Sequence, residues 1–148
     1  MAIARGAGTE IVRTHLFECL AGEQNLIIGV QHHVYTVLSI TAYCVNLNAT
    51  TDTLSCWVKG WDNVNGVSAQ SHYIFQQNIA AGETFVWNDK FSFNGCEPTG
   101  MSAALDTVAE QDAIADQGTA TTQYLYMDVT HGSDDYDVVC TFIDQNNA

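Results

Sequence analysis

The chain has 148 residues, of which 47% are hydrophobic, and it carries one proline and a formal net charge of −13. This length predicts a single domain that buries most of its apolar surface, and the composition argues against disorder. The acidic excess argues against nucleic-acid binding because phosphate would repel it, and no apolar run is long enough to span a membrane. The N-terminal residues lack the pattern of a secretory signal, so we expect a soluble chain made in the cytoplasm.

Residues 1–9 surround Arg5 with glycine and other small side chains, and they are predicted to form an N-terminal arm. Residues 10–148 would then form one domain. Arms of this kind either fray in solvent or dock on a partner, and the sequence leaves both alternatives open.

The first strands are predicted from alternating apolar and polar residues. They are an edge strand over Glu10–Glu18, a short strand over Asn25–Val30 and a long strand over Val34–Val45. Alternate residues of the long strand are expected to face the core, namely Val34, Thr36, Leu38, Ile40, Ala42 and Cys44.

Two further strands are predicted over Thr53–Trp61 and Ser71–Ile79. In the first, the aliphatic side chains are expected to face inward, which turns Trp57, Lys59 and Trp61 outward. The second is expected to hold Tyr73, Phe75 and Ile79 on one side.

The segment Ala80–Asn94 contains four aromatic residues in two alternating pairs. Phe85 and Trp87 share one face, a polar break follows, and Phe91 and Phe93 repeat the alternation. This pattern predicts a β-hairpin or a bent strand pair whose rings pack on a large apolar surface.

A loop is expected around Pro98, followed by the less regular segment Met101–Gly118. Thr107 and Glu110 match a capping box, so this segment is predicted to be either a short helix or an ordered loop. Strands over Thr122–Thr130 and Tyr136–Asp144 close the chain. The pattern as a whole predicts an all-β fold, a β-sandwich or jelly roll of about eight to ten short antiparallel strands with at most one short helix.

The sequence contains no catalytic fingerprint, so we expect neither an enzyme nor a cofactor. The adjacent histidines His32 and His33 would point to opposite faces of a strand and could not share a metal. The acidic cluster of Asp134, Asp135 and Asp137 lacks the spacing of a calcium loop and is predicted to be solvated surface, with weak cation binding as the alternative.

The cysteines also lack the spacing of a metal site or a disulfide framework. We expect free and mostly buried thiols at Cys19, Cys44, Cys56, Cys96 and Cys140.

Trp57 and Trp61 are the strongest functional candidates. Outward-facing tryptophans beside polar residues either fill a subunit interface or stack on sugar rings. If the strand register is reversed, both belong to the core. All three interpretations remain open at this stage.

Four segments resemble small virion proteins of tailed bacteriophages. They are MAIARGAGTEIV, HHVYTVLSITAYCVN, AAGETFVWNDKFSFNG and YDVVCTFIDQNNA, and together they cover about two-thirds of the chain. The similarity is greatest to head decoration (cement) proteins of marine and cyanobacterial phages, which share the pattern seen here over Ala80–Phe93.

This resemblance implies a non-catalytic β-sandwich that binds the outer capsid surface and stabilises the shell. It also implies the major capsid protein as partner, a homotrimeric assembly, and a location on the virion after synthesis in the host cytoplasm. We hypothesise that the contacts are made by Arg5, Arg13, Trp57, Lys59 and Trp61. The alternatives are a carbohydrate-binding or adhesion module of a phage tail or fibre, and a head–tail connector component.

Overall fold

The computed structural model describes residues 9–19, 23–48, 52–60, 70–98, 106–116 and 120–146. These ranges contain eleven strands and one helix, which confirms the predicted all-β class. The elements are β1 (Thr9–Cys19), β2 (Gln24–Ile28), β3 (His33–Asn46), β4 (Thr53–Gly60), β5 (Gln70–Asn78), β6 (Thr84–Trp87), β7 (Phe91–Asn94), β8 (Cys96–Pro98), α1 (Val108–Asp116), β9 (Ala120–Thr122), β10 (Tyr124–Val129) and β11 (Asp135–Asn146).

Two antiparallel sheets form the sandwich. One has five strands in the order β1-β11-β3-β6, with β7 also paired to β3, and the other has four strands in the order β2-β10-β4-β5. The chain passes repeatedly from one sheet to the other, and each sheet pairs strands from both halves of the sequence. Because β6 and β7 pair with the same strand, each sheet is four strands wide, and this arrangement is a jelly roll.

One apolar core fills the space between the sheets. Its fully buried members come from both sheets and include Val37, Ile40, Ala42, Cys44, Leu54, Cys56, Leu125, Met127, Tyr136, Val138, Cys140 and Phe142. At about 25 cal/mol per Å² of buried apolar surface, contacts of this kind are the main force holding two sheets together.

The predicted core face of the long strand is only half right. Ile40, Ala42 and Cys44 are buried as expected, but the first half of the strand buries Tyr35 and Val37 in place of their neighbours. The pairing with β11 shifts between Thr141 and Phe142, which leaves Leu38 as an extra residue in β3. This β-bulge reverses the alternation of side chains between faces.

The aromatic segment forms no hairpin. β6 and β7 both pair with β3 rather than with each other, because Trp87 lies opposite Ile40 and Phe91 lies opposite Val37. The segment is therefore one edge strand that breaks at the level of the bulge in β3. Its four aromatic rings all pack partly buried against the core, as the alternation predicted.

The segment after the aromatic strand contains the short strand β8 and the capped helix α1. Pro98 ends β8, which pairs with β9 in a separate two-stranded sheet, so the prediction of a simple loop there was wrong. The capping box is confirmed at α1, where the Glu110 amide donates to Thr107 Oγ1 at 3.2 Å and the Thr107 amide donates to Glu110 Oε2 at 3.0 Å. The hydrogen bond from the Thr107 amide is the main cause that lowers the pKa of the Glu110 carboxyl.

The acidic cluster differs from its prediction at one position. Asp134 is fully buried, and its carboxylate accepts hydrogen bonds from the amides of Asn48 at 2.9 Å and His131 at 3.0 Å. It therefore ties the loop after β3 to the loop before β11, whereas Asp137 is exposed as predicted and Asp135 is partly exposed.

Four cysteines, Cys44, Cys56, Cys96 and Cys140, are free and buried, in agreement with the prediction. Burial raises the pKa of the Cys140 thiol to about 12 and also raises the pKa of Cys44. Among the described helices, none is long and apolar enough to cross a membrane.

Two glycines allow the sheets to meet at one corner. A Cβ atom added to Gly29 would lie 1.9 Å from the carbonyl oxygen of Gly95 and 2.5 Å from that of Gln123. The Gly29 amide donates to this Gln123 oxygen at 2.9 Å, and the Gln123 amide donates to the Gly95 oxygen at 2.9 Å. No side chain larger than hydrogen fits between these backbones.

We expect Gly29→Ala to destabilise the protein by more than about 4 kcal/mol, or to prevent folding, because three backbone segments would have to separate. Gly60→Ala is the matched control, since its added Cβ would meet Gln123 Oε1 at 3.6 Å, an ordinary contact. Urea unfolding of both variants checks this expectation. Similar decreases in the free energy of unfolding of the two variants would show that a side chain fits at this corner.

Stability should fall in alkaline solution. The pKa values of Cys140, Cys44, Tyr35 and Tyr136 are all raised, in each case chiefly by burial. Each of these acids has a higher pKa in the folded state than in the unfolded state. Its contribution to folding stability is fully present below the pKa of the unfolded state, which is about 8.5 for cysteine. This contribution is lost as the pH rises toward the pKa of the folded state.

For Cys140 alone, we expect the free energy of unfolding to fall by about 1.4 kcal/mol per pH unit above the unfolded-state pKa of about 8.5. Urea unfolding under reducing conditions between pH 7 and 10 would measure it. Cys140→Ala should show a shallower slope than the wild type, and equal slopes would contradict this assignment.

Candidate interaction surface

The outer face of the five-stranded sheet is set by the pairing of β1 with β11. This register is unbroken from Thr9 opposite Asn146 to Cys19 opposite Tyr136. Because the even-numbered residues of β11 from 136 to 144 are buried, the even-numbered residues of β1 point outward with the odd-numbered residues of β11.

Outward-pointing side chains form three uncharged rows across the sheet. Leu16 lies opposite Val139, which lies opposite Thr41, and Thr41 lies opposite Val86. The other two rows are Thr14, Thr141 and Ser39, and Val12, Ile143, Thr36 and Ser92.

Hydroxyl groups within these rows bond to one another. The Thr14 and Thr141 hydroxyl oxygens are 3.3 Å apart, and those of Thr36 and Ser92 are 2.9 Å apart. Since these hydroxyls are partly satisfied within the face, covering the face would cost less than burying unpaired polar groups.

We define the outer apolar face as Val12, Leu16, Val86, Val139 and Ile143. Leu16 is 78% exposed, Val12 66% and Val86 53%. Single exposed apolar residues are ordinary, whereas apolar residues gathered on one face, here in two rows on either side of the hydroxyl row, are typical of a surface that binds another molecule.

Charges lie only at the margins of this face. Glu10 lies at one end, and Glu18 lies opposite Asp137 at the other. None of the outward-pointing strand residues of this sheet is lysine or arginine. A partner that covers the face would gain from basic residues at its own margins.

Arg13, one of the predicted contact residues, points to the inner side of β1. Its Nε donates to Asp144 Oδ2 at 3.3 Å, and His33 Nδ1 lies 2.5 Å from Asp144 Oδ1. The buried Asp144 carboxylate thus links β1, β11 and β3 beside a small cavity of about 130 Å³. Arg13 is half exposed, so this structural role leaves part of its guanidinium accessible.

Trp57 and Lys59 lie on the opposite surface, the outer side of the four-stranded sheet. Trp57 is half-buried and stacks against Tyr73 of β5 at 4.3 Å and Tyr126 of β10 at 5.2 Å between ring centroids. A bulge at Ile74 turns Tyr73 away from Phe75, so the prediction that these two residues share a face was wrong. Arg5 and Trp61 lie outside the described residues.

This stack bears on the three interpretations of Trp57. Strands β5 and β10 flank β4 on opposite sides, so the two tyrosines cover the two faces of the indole. A sugar ring needs an open aromatic face, and only Tyr73, which is 45% exposed, keeps one. The structure therefore brings Trp57 and Lys59 together but separates them from Arg13.

Within the described ranges, no group of three or more histidine, cysteine or acidic side chains is placed to hold a metal ion. His33 is engaged with Asp144, whereas His32 adopts a left-handed turn conformation with φ of 65°.

The outer apolar face could not be predicted from the alternation of residues in β1. β1 alternates ambiguously because Ile11 and Val12 are both apolar and both exposed. Only the register with β11 shows which of them points outward. The signal in the sequence was the strand THLFEC, where Leu16 and Phe17 are adjacent and cannot both be buried in a sheet with one covered face.

No protein-family profile matches this chain, and no curated protein matches it. Among solved structures, it is similar to a chain from a study entitled "Bacillus endospore appendages form a novel family of disulfide-linked pili". The TM-score is 0.43 with 9% sequence identity, over 100% of this chain and 97% of that one. A score at this level carries no argument about function.

We expect the outer apolar face to be dispensable for folding. Leu16→Thr should change the free energy of unfolding by less than about 0.5 kcal/mol, because the Leu16 side chain is mostly exposed to solvent. Leu54→Ala, a core control at 0% exposure, should cost about 2–5 kcal/mol. Urea unfolding measures both values, and a loss above about 1.5 kcal/mol for Leu16→Thr would contradict the exposure of this face.

Proposed function

We propose that this chain is a virion structural protein that binds the outer surface of a phage capsid and stabilises the shell without catalysis. The observation that carries the proposal is the outer apolar face, an uncharged patch on a rigid sheet. The jelly roll also agrees with the fold that the resemblance to decoration proteins implies.

Net charge supports the outer surface over the interior. A chain with a formal charge of −13 is repelled by packaged DNA, so the inside of a filled shell is unfavourable. The acidic margins of the outer apolar face, Glu10, Glu18 and Asp137, favour a capsid surface with basic residues around an apolar centre.

The proposed mechanism is binding at many equivalent sites. Each copy would bridge adjacent subunits of the major capsid protein, and repetition over the lattice would resist internal pressure through multivalency. The resemblance implies that copies assemble as homotrimers on the virion. The free cysteines suit synthesis in a reducing host cytoplasm.

A pelleting assay with capsids that lack the protein tests this function. Wild-type protein should co-sediment with the shells at many copies per particle. Val86→Glu should bind about thirtyfold more weakly, because burying an unpaired charge in an interface costs about 2 kcal/mol or more. Val108→Glu is the matched control, since Val108 is 72% exposed and lies on α1, which is no part of the five-stranded sheet.

Saturation at many copies, reduced by Val86→Glu and unchanged by Val108→Glu, would support the proposal. Saturation at only a few copies per particle would favour a head–tail connector. Absence of binding by the wild type would refute attachment to shells.

A further inference from the structure

Strand β1 forms one edge of the five-stranded sheet. Among the described strands it pairs only with β11, and the eleven residue pairs between them follow without a bulge. An edge strand presents alternate backbone N–H and C=O groups away from the sheet, where another strand can bind them.

Three common protections of an edge strand are absent from β1. Proline, an outward lysine and a bulge protect many natural edges, and the sequence TEIVRTHLFEC has none of these, although it carries outward Glu10 and Glu18. Its one strongly basic residue, Arg13, is bound to Asp144 on the inner side. Apolar side chains are exposed on both faces, Ile11 on the inner face and Val12 and Leu16 on the outer. This strand is therefore suited to pairing.

A groove beside the C-terminal half of β1 indicates which kind of side chain a strand added to β1 would carry. It measures about 300 Å³ and is lined by Leu16, Phe17, Glu18, Asp137, Val138 and Val139. Glu18 and Asp137 lie directly opposite each other, and like charges in that position are destabilising. Within the described residues, neither carboxylate has a cationic partner. The apolar lining and paired carboxylates match the stem and charged head of lysine or arginine.

We propose that β1 binds an extended segment of the shell protein as an added strand, and that a lysine or arginine of this segment occupies the groove beside Glu18 and Asp137. This inference rests on the proposed function and names the kind of segment that the site would take. The added strand would contribute main-chain hydrogen bonds, and alternate apolar side chains would continue the rows that begin at Val12 and Leu16.

Charge distinguishes this occupant from a second copy of the chain. Two copies of β1 paired antiparallel about Thr14 would bring Val12 opposite Leu16, which is favourable. The same register places Glu10 opposite Glu18 twice, between molecules that each carry a formal charge of −13. A basic segment replaces this repulsion by attraction.

Two labelled peptides of alternating valine and threonine, with lysines at both ends in one and glutamates in the other, test the proposal by fluorescence anisotropy. The lysine peptide should bind, more weakly as salt is raised, and should slow amide hydrogen exchange in residues 9–19. The glutamate peptide and a backbone N-methylated lysine peptide should bind at least about tenfold more weakly.

The double variant Glu18→Gln/Asp137→Asn should weaken binding of the lysine peptide about tenfold, since two partly desolvated ion pairs are removed. Asp89→Asn/Asp112→Asn makes the same change in net charge at exposed sites that belong to neither β1 nor β11, and it should alter binding less than twofold. Both variants should also be tested in the shell-pelleting assay.

Equal binding of the N-methylated peptide would overturn strand addition, and equal binding of the glutamate peptide would overturn the charge assignment. Self-association that strengthens with salt would identify a second copy as the occupant and overturn the proposal. Shell binding that is unchanged in Glu18→Gln/Asp137→Asn would overturn this inference while the proposed function stands. Absence of shell binding by the wild type would instead overturn the proposed function.

Discussion

The bend of β3 at Leu38 is the constraint on which the rest of the sandwich depends. β3 is the only described strand that pairs with β11 on one side and with both β6 and β7 on the other. The extra residue at Leu38 exchanges the two faces of the strand, so that Tyr35 and Val37 join Ile40 and Ala42 in the core. The neighbouring strand breaks at the same level. The bulge therefore determines both what the core contains and where the aromatic rings of β6 and β7 pack.

The sequence was sufficient for the features that depend on local chemistry. Thr107 and Glu110 cap α1 because two backbone donors at the start of the helix need acceptors. A pattern of four residues is enough to predict such a cap. Alternation likewise placed the aromatic rings of β6 and β7 toward the core. The all-β class and the buried thiols follow from composition and patterning in the same way.

Features that depend on pairing between distant segments could not be predicted. The bulges at Leu38 and Ile74 each add one residue to a strand, and no periodicity marks them. The candidate surface was missed for the same reason, since the exposure of Leu16 follows from its register with Val139. The tryptophan stack shows the complementary case: Trp57 faces outward as expected, yet tyrosines from two other strands cover it. Sequence thus identified the apolar residues but could not assign them to the core or to a binding surface.

The sandwich buries one apolar core and exposes further apolar side chains on the outer face of its five-stranded sheet. We propose that a capsid shell covers this face. Cryo-electron microscopy of shells mixed with the purified protein tests it most directly. We expect density repeated over the outer lattice, with the five-stranded sheet toward the shell. Lattice density with the four-stranded sheet and Trp57 toward the shell, or no lattice density, would contradict it.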